Sequence, residues 1–280
     1  MRRLPVGEIE EAVSRLFRKA ALRVPPGVEE LLRSARDRER SPLGREVLTE
    51  ILENARVARE EGIPLCQDTG FSVVLLELGQ EVHLVGGDLR EAVNRGVARA
   101  YREGLLRSSI LDHPWQGRNT GDNTPCVLHV EIVPGDRVRV RVMPKGGGSE
   151  NKSRLEMLSP AEGLEGARRL VIETVKQAGP DACPPLAIGV GIGGTFDYVG
   201  YLAKKALFRR PGERHPRPEV RELEEELEEE IGRLGIGPSG FGGDTTALWV
   251  SVEIYPRHIA TFPVAVNVQC HAARVEEEVL

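Results

Sequence analysis

From residue 7 to residue 62 the apolar positions recur with a helical period, and beyond that point no single period persists. This change limits what the chain can fold into more than any other feature. EIEEAVSRLFRKAALRV, GVEELLRSARDRE and GREVLTEILENARVAREEG read as amphipathic helices, punctuated by Pro25-Pro26 and Ser41-Pro42. After them, short strand-like runs (FSVVLLEL, EVHLV, CVLHVEIV, RVRVRVM, LAIGVGIGG, ALWVSVEIY, FPVAVNVQ) intermingle with further helical stretches. Those helices are DLREAVNRGVARAYREG, residues 160–178, YVGYLAKKALF and PEVRELEEELEEEIGRLG, the first with Asp88 as cap and Gly104 as stop. Strict strand–helix alternation is missing, so an α+β fold with mixed sheets is expected rather than a doubly wound one. With no repeat and no low-complexity linker, the expectation is a single domain over 1–280, a helical region 1–62 leading into a mixed body 63–280.

Composition narrows the class. Hydrophobic residues make up 40% of the chain and charged residues 29%, the balance of a soluble globular protein. The net charge of -5 lacks the basic footprint of a nucleic-acid binder. No apolar run reaches the roughly 18 residues needed to span a bilayer. MRRLPVGEIEEAV carries no apolar core of a signal peptide, so a cytoplasmic location is expected.

Several segments invite a functional reading. Residues 105–124 form a long polar loop, and CVLHVEIV and RVRVRVM, joined by PGD, read as a β-hairpin. Gly189 to Gly194 satisfies a dinucleotide-type glycine pattern. No second strand ending in an acidic residue follows, so these glycines are read as allowing a tight turn or close backbone approach. GGGSENKS resembles a phosphate loop but has Asn151 in place of the second glycine. Its amides could still form a nest for a small anion, with Lys145 and Lys152 adding charge; the plain alternative is a flexible turn. The acidic run Glu222 to Glu230 reads as a solvated helix face.

The chain has four cysteines. Cys126 sits among Val and Leu in a strand and reads as a buried small hydrophobe. Cys66, Cys183 and Cys270 each lie where a regular element meets a turn (LCQDTG, DACPP, NVQCHAAR). No pair has C-x-x-C spacing, which sets aside a zinc ribbon or a ferredoxin run. Disulfides are a poor explanation in a reducing compartment. Three distant thiolates could converge on one iron–sulfur cluster and leave one iron open; three unrelated cysteines would be the alternative.

Taken together, PLCQDTG, LLRSSI, NTGDNTP, PKGGGSENKS, ACPP, GIGGTFD, LAKKAL, GFGGDTTAL, PRH and VQCHAAR span nearly the whole chain in order. In these segments the chain resembles the α subunit of two-subunit class I fumarate hydratases and the closely similar α subunit of L-tartrate dehydratase. The resemblance implies a 4Fe-4S cluster on Cys66, Cys183 and Cys270 with one open iron. It also implies that Gln67, Asp68, Arg107, Gly147 of the glycine turn and His258 face a dicarboxylate substrate. A separate β subunit would supply the base for the C3 proton, in an assembly expected to be α2β2.

The reaction implied is reversible hydration of fumarate to (S)-malate. Asp68 would be the general acid or proton relay, Arg107 a bidentate carboxylate clamp, and His258 a donor to the substrate. L-Tartrate is the alternative substrate. A non-enzymatic iron–sulfur redox or sensor protein is the rival class, and would require Cys126 as a fourth ligand.

Overall fold

The computed structural model describes residues 1–280. It divides into two compact units: Met1–Pro25, Ala55–Gly147 and Arg274–Leu280 form the first, and Pro26–Asn54 with Gly148–Ala273 the second. The helical run over 1–62 contributes to both units. Its helices, α1 (Val6–Leu22), α2 (Pro26–Arg38) and α3 (Pro42–Glu61), are shared out between the units. Mixed sheets flanked by helices in both units make the chain an α+β protein.

In the first unit, β1 (Arg2–Pro5) pairs in parallel with β3 (Val82–Val85), a contact that the short MRRLP segment gave no reason to expect. The main sheet has the order β10-β5-β2-β4, built from β2 (Phe71–Gly79), β4 (Val127–Val133), β5 (Val138–Lys145) and β10 (Glu276–Val279). The expected hairpin of β4 and β5 does not form. Instead β2 lies between them, parallel to β4 and antiparallel to β5. The physical reason is burial. Val73 to Leu76 of β2 are nearly inaccessible, so this strand takes the middle, while the half-exposed β4 accepts the edge.

The 134–136 turn crosses the end of β2 at Gly79, where a side chain would meet the Gly135 carbonyl oxygen at 2.5 Å. One face of the sheet packs on α1 and on α4 (Leu89–Glu103), burying Ile9, Val13, Phe17, Val97 and Tyr101 with Val74, Val140 and Val142. Asp88 caps α4 through a hydrogen bond from the Glu91 N–H at 2.9 Å, and Gly104 follows as its stop.

The glycine turn GGGSE is a one-turn helix, α5 (Gly147–Glu150), at the junction of the two units' sequence ranges. In the second unit the sheet runs β6-β9-β7-β8, from β6 (Arg154–Leu158), β7 (Leu186–Gly194), β8 (Ala247–Arg257) and β9 (Phe262–Gln269). One face, with Ile188, Val190, Val250, Val252, Val264 and Val266, packs on α6 (Gly163–Ala178) and α8 (Pro218–Gly232). The other face of β7 presents glycine, and α7 (Phe196–Ala206) lies directly on it. A side-chain carbon at Gly189 would meet the Ala203 carbonyl oxygen at 2.2 Å, and one at Gly191 the Val199 carbonyl oxygen at 2.3 Å. Close helix–strand approach is thus what the dinucleotide-like pattern encodes here.

The acidic run on α8 departs from the solvated face expected of it. Glu224 is fully buried; it pairs with Arg209 and accepts the Val252 N–H at 2.9 Å, while Glu228 accepts the Val250 N–H at 2.8 Å. These two carboxylates cover the otherwise open edge of β8, which explains why they face inward.

Glu39 does similar work for a loop. It accepts N–H bonds from Ser41, Asp244 and Thr245, tying residues 244–245 to the end of α2. Burial by itself would raise its carboxyl, but the amide donors outweigh that and hold it below the ordinary value of 4.5. A depressed carboxyl contributes stability that is complete above the unfolded-state value and is lost as pH falls through the folded one. Glu39→Gln is therefore expected to cost about 1.5–3 kcal/mol at neutral pH, and its deficit should shrink as pH drops below about 4. Urea titrations of both proteins across pH 3–7 would check this; a constant deficit would refute it.

Candidate active site

The LCQDTG turn, which leads into β2, is fixed from within the first unit. Its three successive carbonyls each accept a bond from a buried side chain. The Arg274 Nη2 donates to Asp68 at 2.8 Å, the Tyr101 hydroxyl to Thr69 at 2.8 Å, and the Asn123 amide to Gly70 at 3.0 Å. Asn123 is fully buried in a left-handed backbone conformation (φ 62) and also accepts the Ser109 N–H at 2.9 Å. It thereby fastens the 105–124 loop to the turn. The Thr69 hydroxyl adds a bond to the Arg107 carbonyl.

This framework presents Cys66 half-buried, Gln67 exposed and Asp68 half-buried. The Asp68 carboxylate is itself held: Oδ1 accepts the Gly70 N–H at 3.0 Å and Oδ2 the Gly147 N–H at 2.7 Å. The glycine turn is thereby joined to the LCQDTG turn through the Gly147 main chain. Through its main chain, Arg107 is joined to the same turn and keeps its side chain exposed. Lys145, by contrast, is wholly buried and donates to its neighbour Gly146.

In the second unit, Cys183 precedes β7 and Cys270 follows β9. Because these strands are antiparallel, with Ala187 opposite Gln269, both cysteines lie at one end of the sheet. The His271 main-chain N–H donates to the Cys183 carbonyl at 3.2 Å and locks the two loops together. Cys183 is exposed and adopts a left-handed conformation (φ 56), uncommon for a residue with a side chain. The loop held by Glu39 closes the same end, where the Ser239 N–H donates to the Pro184 carbonyl at 2.8 Å.

The SENKS segment is anchored to β9 just before Cys270. Glu150 takes Lys204 Nζ and Asn267 Nδ2, and Ser153 Oγ accepts the Val268 N–H at 3.1 Å. Burial pushes the Lys204 ammonium down, against the pull of Glu150. Lys152, expected to lend charge to an anion nest, is instead engaged by Asp181 at 2.7 Å.

His258 is placed elsewhere. It follows β8 and precedes β9, at the end of the sheet opposite Cys183 and Cys270; the eight residues of β9 put about 26 Å between those ends. There it is exposed, accepts the Ala260 N–H at 3.2 Å, and borders a cleft of about 550 Å³ with Phe196, Tyr198 and Tyr255. Within the second unit, His258 therefore stands a full strand away from Cys183 and Cys270.

The residues that sequence reasoning left unassigned are the supports: Tyr101, Asn123, Lys204, Asn267 and Arg274. All but Tyr101 and Asn267 fall inside the quoted motifs NTGDNTP, LAKKAL and VQCHAAR, so the signal was present without a role attached.

The donor set suits a soft metal centre. Three cysteines are at least partly accessible and none is in a disulfide. Cys126 differs: it is buried against apolar neighbours, and burial pushes its thiol up to about 11. No three His, Cys, Asp or Glu side chains are gathered tightly enough for a single metal ion. Alkylation by iodoacetamide near pH 8 should therefore modify Cys183 first, then Cys66 and Cys270, and leave Cys126 unmodified until the chain unfolds. Peptide mapping by mass spectrometry gives the order; early labelling of Cys126 would contradict it.

Comparison with known proteins agrees with the motif resemblance. Residues 10–278 match the family described as fumarate hydratase (Fumerase). A Methanocaldococcus jannaschii protein with the provisional name L(+)-tartrate dehydratase subunit alpha is 42% identical over 273 residues, covering 95% of each chain. The L(+)-tartrate dehydratase subunit alpha of Escherichia coli is 34% identical over 272 residues, covering 96% of this chain and 89% of its own. The chain therefore belongs to the fumarate hydratase family, as a hydro-lyase of the class I alpha-subunit type.

Proposed function

We propose that this chain is the cluster-bearing subunit of an iron–sulfur hydro-lyase acting on a four-carbon 2-hydroxy dicarboxylate. Cys66, Cys183 and Cys270 would hold a 4Fe-4S cluster with one open iron. When bound, that iron would supply a Lewis acid for the departing or entering hydroxyl. The observation that carries the reading is the Cys66–Gln67–Asp68 turn. A thiol, an amide and a carboxylate lie in consecutive positions there, and the backbone beneath them is clamped by buried side chains.

Each residue then has a task its position supports. Asp68, steered by the Gly70 and Gly147 amides, holds or passes the proton of the substrate hydroxyl. Exposed Gln67 donates to the substrate. Arg107, whose guanidinium forms no ion pair within the chain, is the clamp for a carboxylate. Gly147 stands in the glycine turn close to Asp68, where a side-chain carbon would already lie 3.8 Å from Oδ2. We assign the base for the C3 proton to a β subunit; a second subunit is supported by the names of the relatives, each a subunit alpha. An α2β2 assembly is our reading of that pairing.

Fumarate and (S)-malate are the substrates first proposed. L-Tartrate is the second reading, favoured by the names of the relatives at 42% and 34% identity. Tartrate carries one more hydroxyl, which the site would have to pair with a hydrogen-bonding group.

The test is anaerobic reconstitution of the full-length chain, followed by iron and sulfide analysis. About four of each per chain are expected, lost on Cys66→Ser, Cys183→Ser or Cys270→Ser and retained on Cys126→Ser. Loss on Cys126→Ser alone would favour a redox or sensor protein. With a β partner added, Asp68→Asn should lower kcat by roughly 10²–10⁴-fold for the better of malate and tartrate. Full turnover by the isolated chain would overturn the two-subunit reading.

A further inference from the structure

Arg274 is the largest fully buried side chain in the protein, 1% exposed. Elsewhere in this chain a shielded guanidinium has a carboxylate against it. Arg209, 13% exposed, pairs with Glu224, and Arg141, 18% exposed, pairs with Glu77 and Glu277. Arg274 lies deeper than either and has none. Its single bond is the one from Nη2 to the Asp68 carbonyl, and its Nε and Nη1 have no acceptor. The Asp68 carboxylate accepts the amides of Gly70 and Gly147 but no bond from Arg274.

A buried charge without a partner is strongly unfavourable, as is a buried N–H without an acceptor. Both costs vanish if negative charge is brought into the same turn. Arg274 is placed for that: it lies four residues after Cys270 in sequence and is bonded to the turn that carries Cys66. Burial hides it from a diffusible substrate, so the anion it awaits must be one that the turn itself holds. Arg274 and Tyr101 donate to the consecutive carbonyls of Asp68 and Thr69, which sets the guanidinium against the backbone of the turn.

We propose that Arg274 is a positioning residue that fixes the Cys66–Gly70 turn and supplies the buried positive charge offsetting the thiolate-bound anionic cluster. This rests on the iron–sulfur reading above and adds a role for a residue outside the ligand set.

The experiment compares full-length wild-type chain with Arg274→Lys and Arg274→Gln, each purified anaerobically and measured before and after cluster loading. Lysine keeps the charge; glutamine keeps a neutral donor for the Asp68 carbonyl. Wild type and Arg274→Lys should take up iron and sulfide and gain thermal stability on loading. Arg274→Gln should fold without the cluster, yet release iron to a chelator about 10–100-fold faster and lose most of the stability gain. Equal iron retention and equal gain in Arg274→Gln would overturn the proposal. So would a pattern in which both variants unfold before loading, because a purely structural arginine behaves that way. A wild-type chain that takes up no iron or sulfide would instead refute the cluster reading itself, and this inference with it.

Discussion

Main-chain carbonyls cannot be left bare inside a protein, and in this chain that constraint organises the candidate site. The turn after α3 buries the carbonyls of Asp68, Thr69 and Gly70, and each is met by a side chain from a distant segment: Arg274, Tyr101 and Asn123. Residues on the outer side of the turn inherit this rigidity. Cys66, Gln67 and Asp68 have chemistry to offer because the atoms behind them have no freedom left.

The second unit reaches a similar result by another route. Its sheet brings the start of β7 and the end of β9 side by side, and Cys183 and Cys270 fall at those two points as a consequence of antiparallel register. Glycines on one face of β7 let α7 lie against the strand, and Lys204 on α7 then reaches Glu150 and, through it, Asn267. Packing and polar anchoring are therefore one arrangement here. A bulkier residue at Gly189 would move the helix that carries the anchor.

Buried or shielded charge recurs as a structural device. Glu224 and Glu228 cover a strand edge, Glu39 gathers loop amides, and Lys204 is paired with Glu150. In each case the charge meets an opposite charge or several N–H donors. Arg274 has no carboxylate against it, and it lies beside the turn where an anionic group is proposed to bind.

Much of this was legible in the residues. The helices of 7–62, the capped α4, the strands and the glycine approach of β7 follow from local periodicity and turn chemistry, which act over a few residues. Cys126 could be told from the other cysteines by its apolar neighbours alone. Tertiary structure decided what depends on partners far along the chain. It placed β2 between β4 and β5, because a strand apolar on both faces needs neighbours on both sides. It turned Glu224 inward, because an edge strand needed acceptors. It sent His258 to the far end of the sheet from Cys270, twelve residues apart in sequence and a full strand apart in space. Sequence spacing measures distance along a chain, whereas an extended strand turns eight residues into the width of a domain, and only the fold says at which end each residue stands.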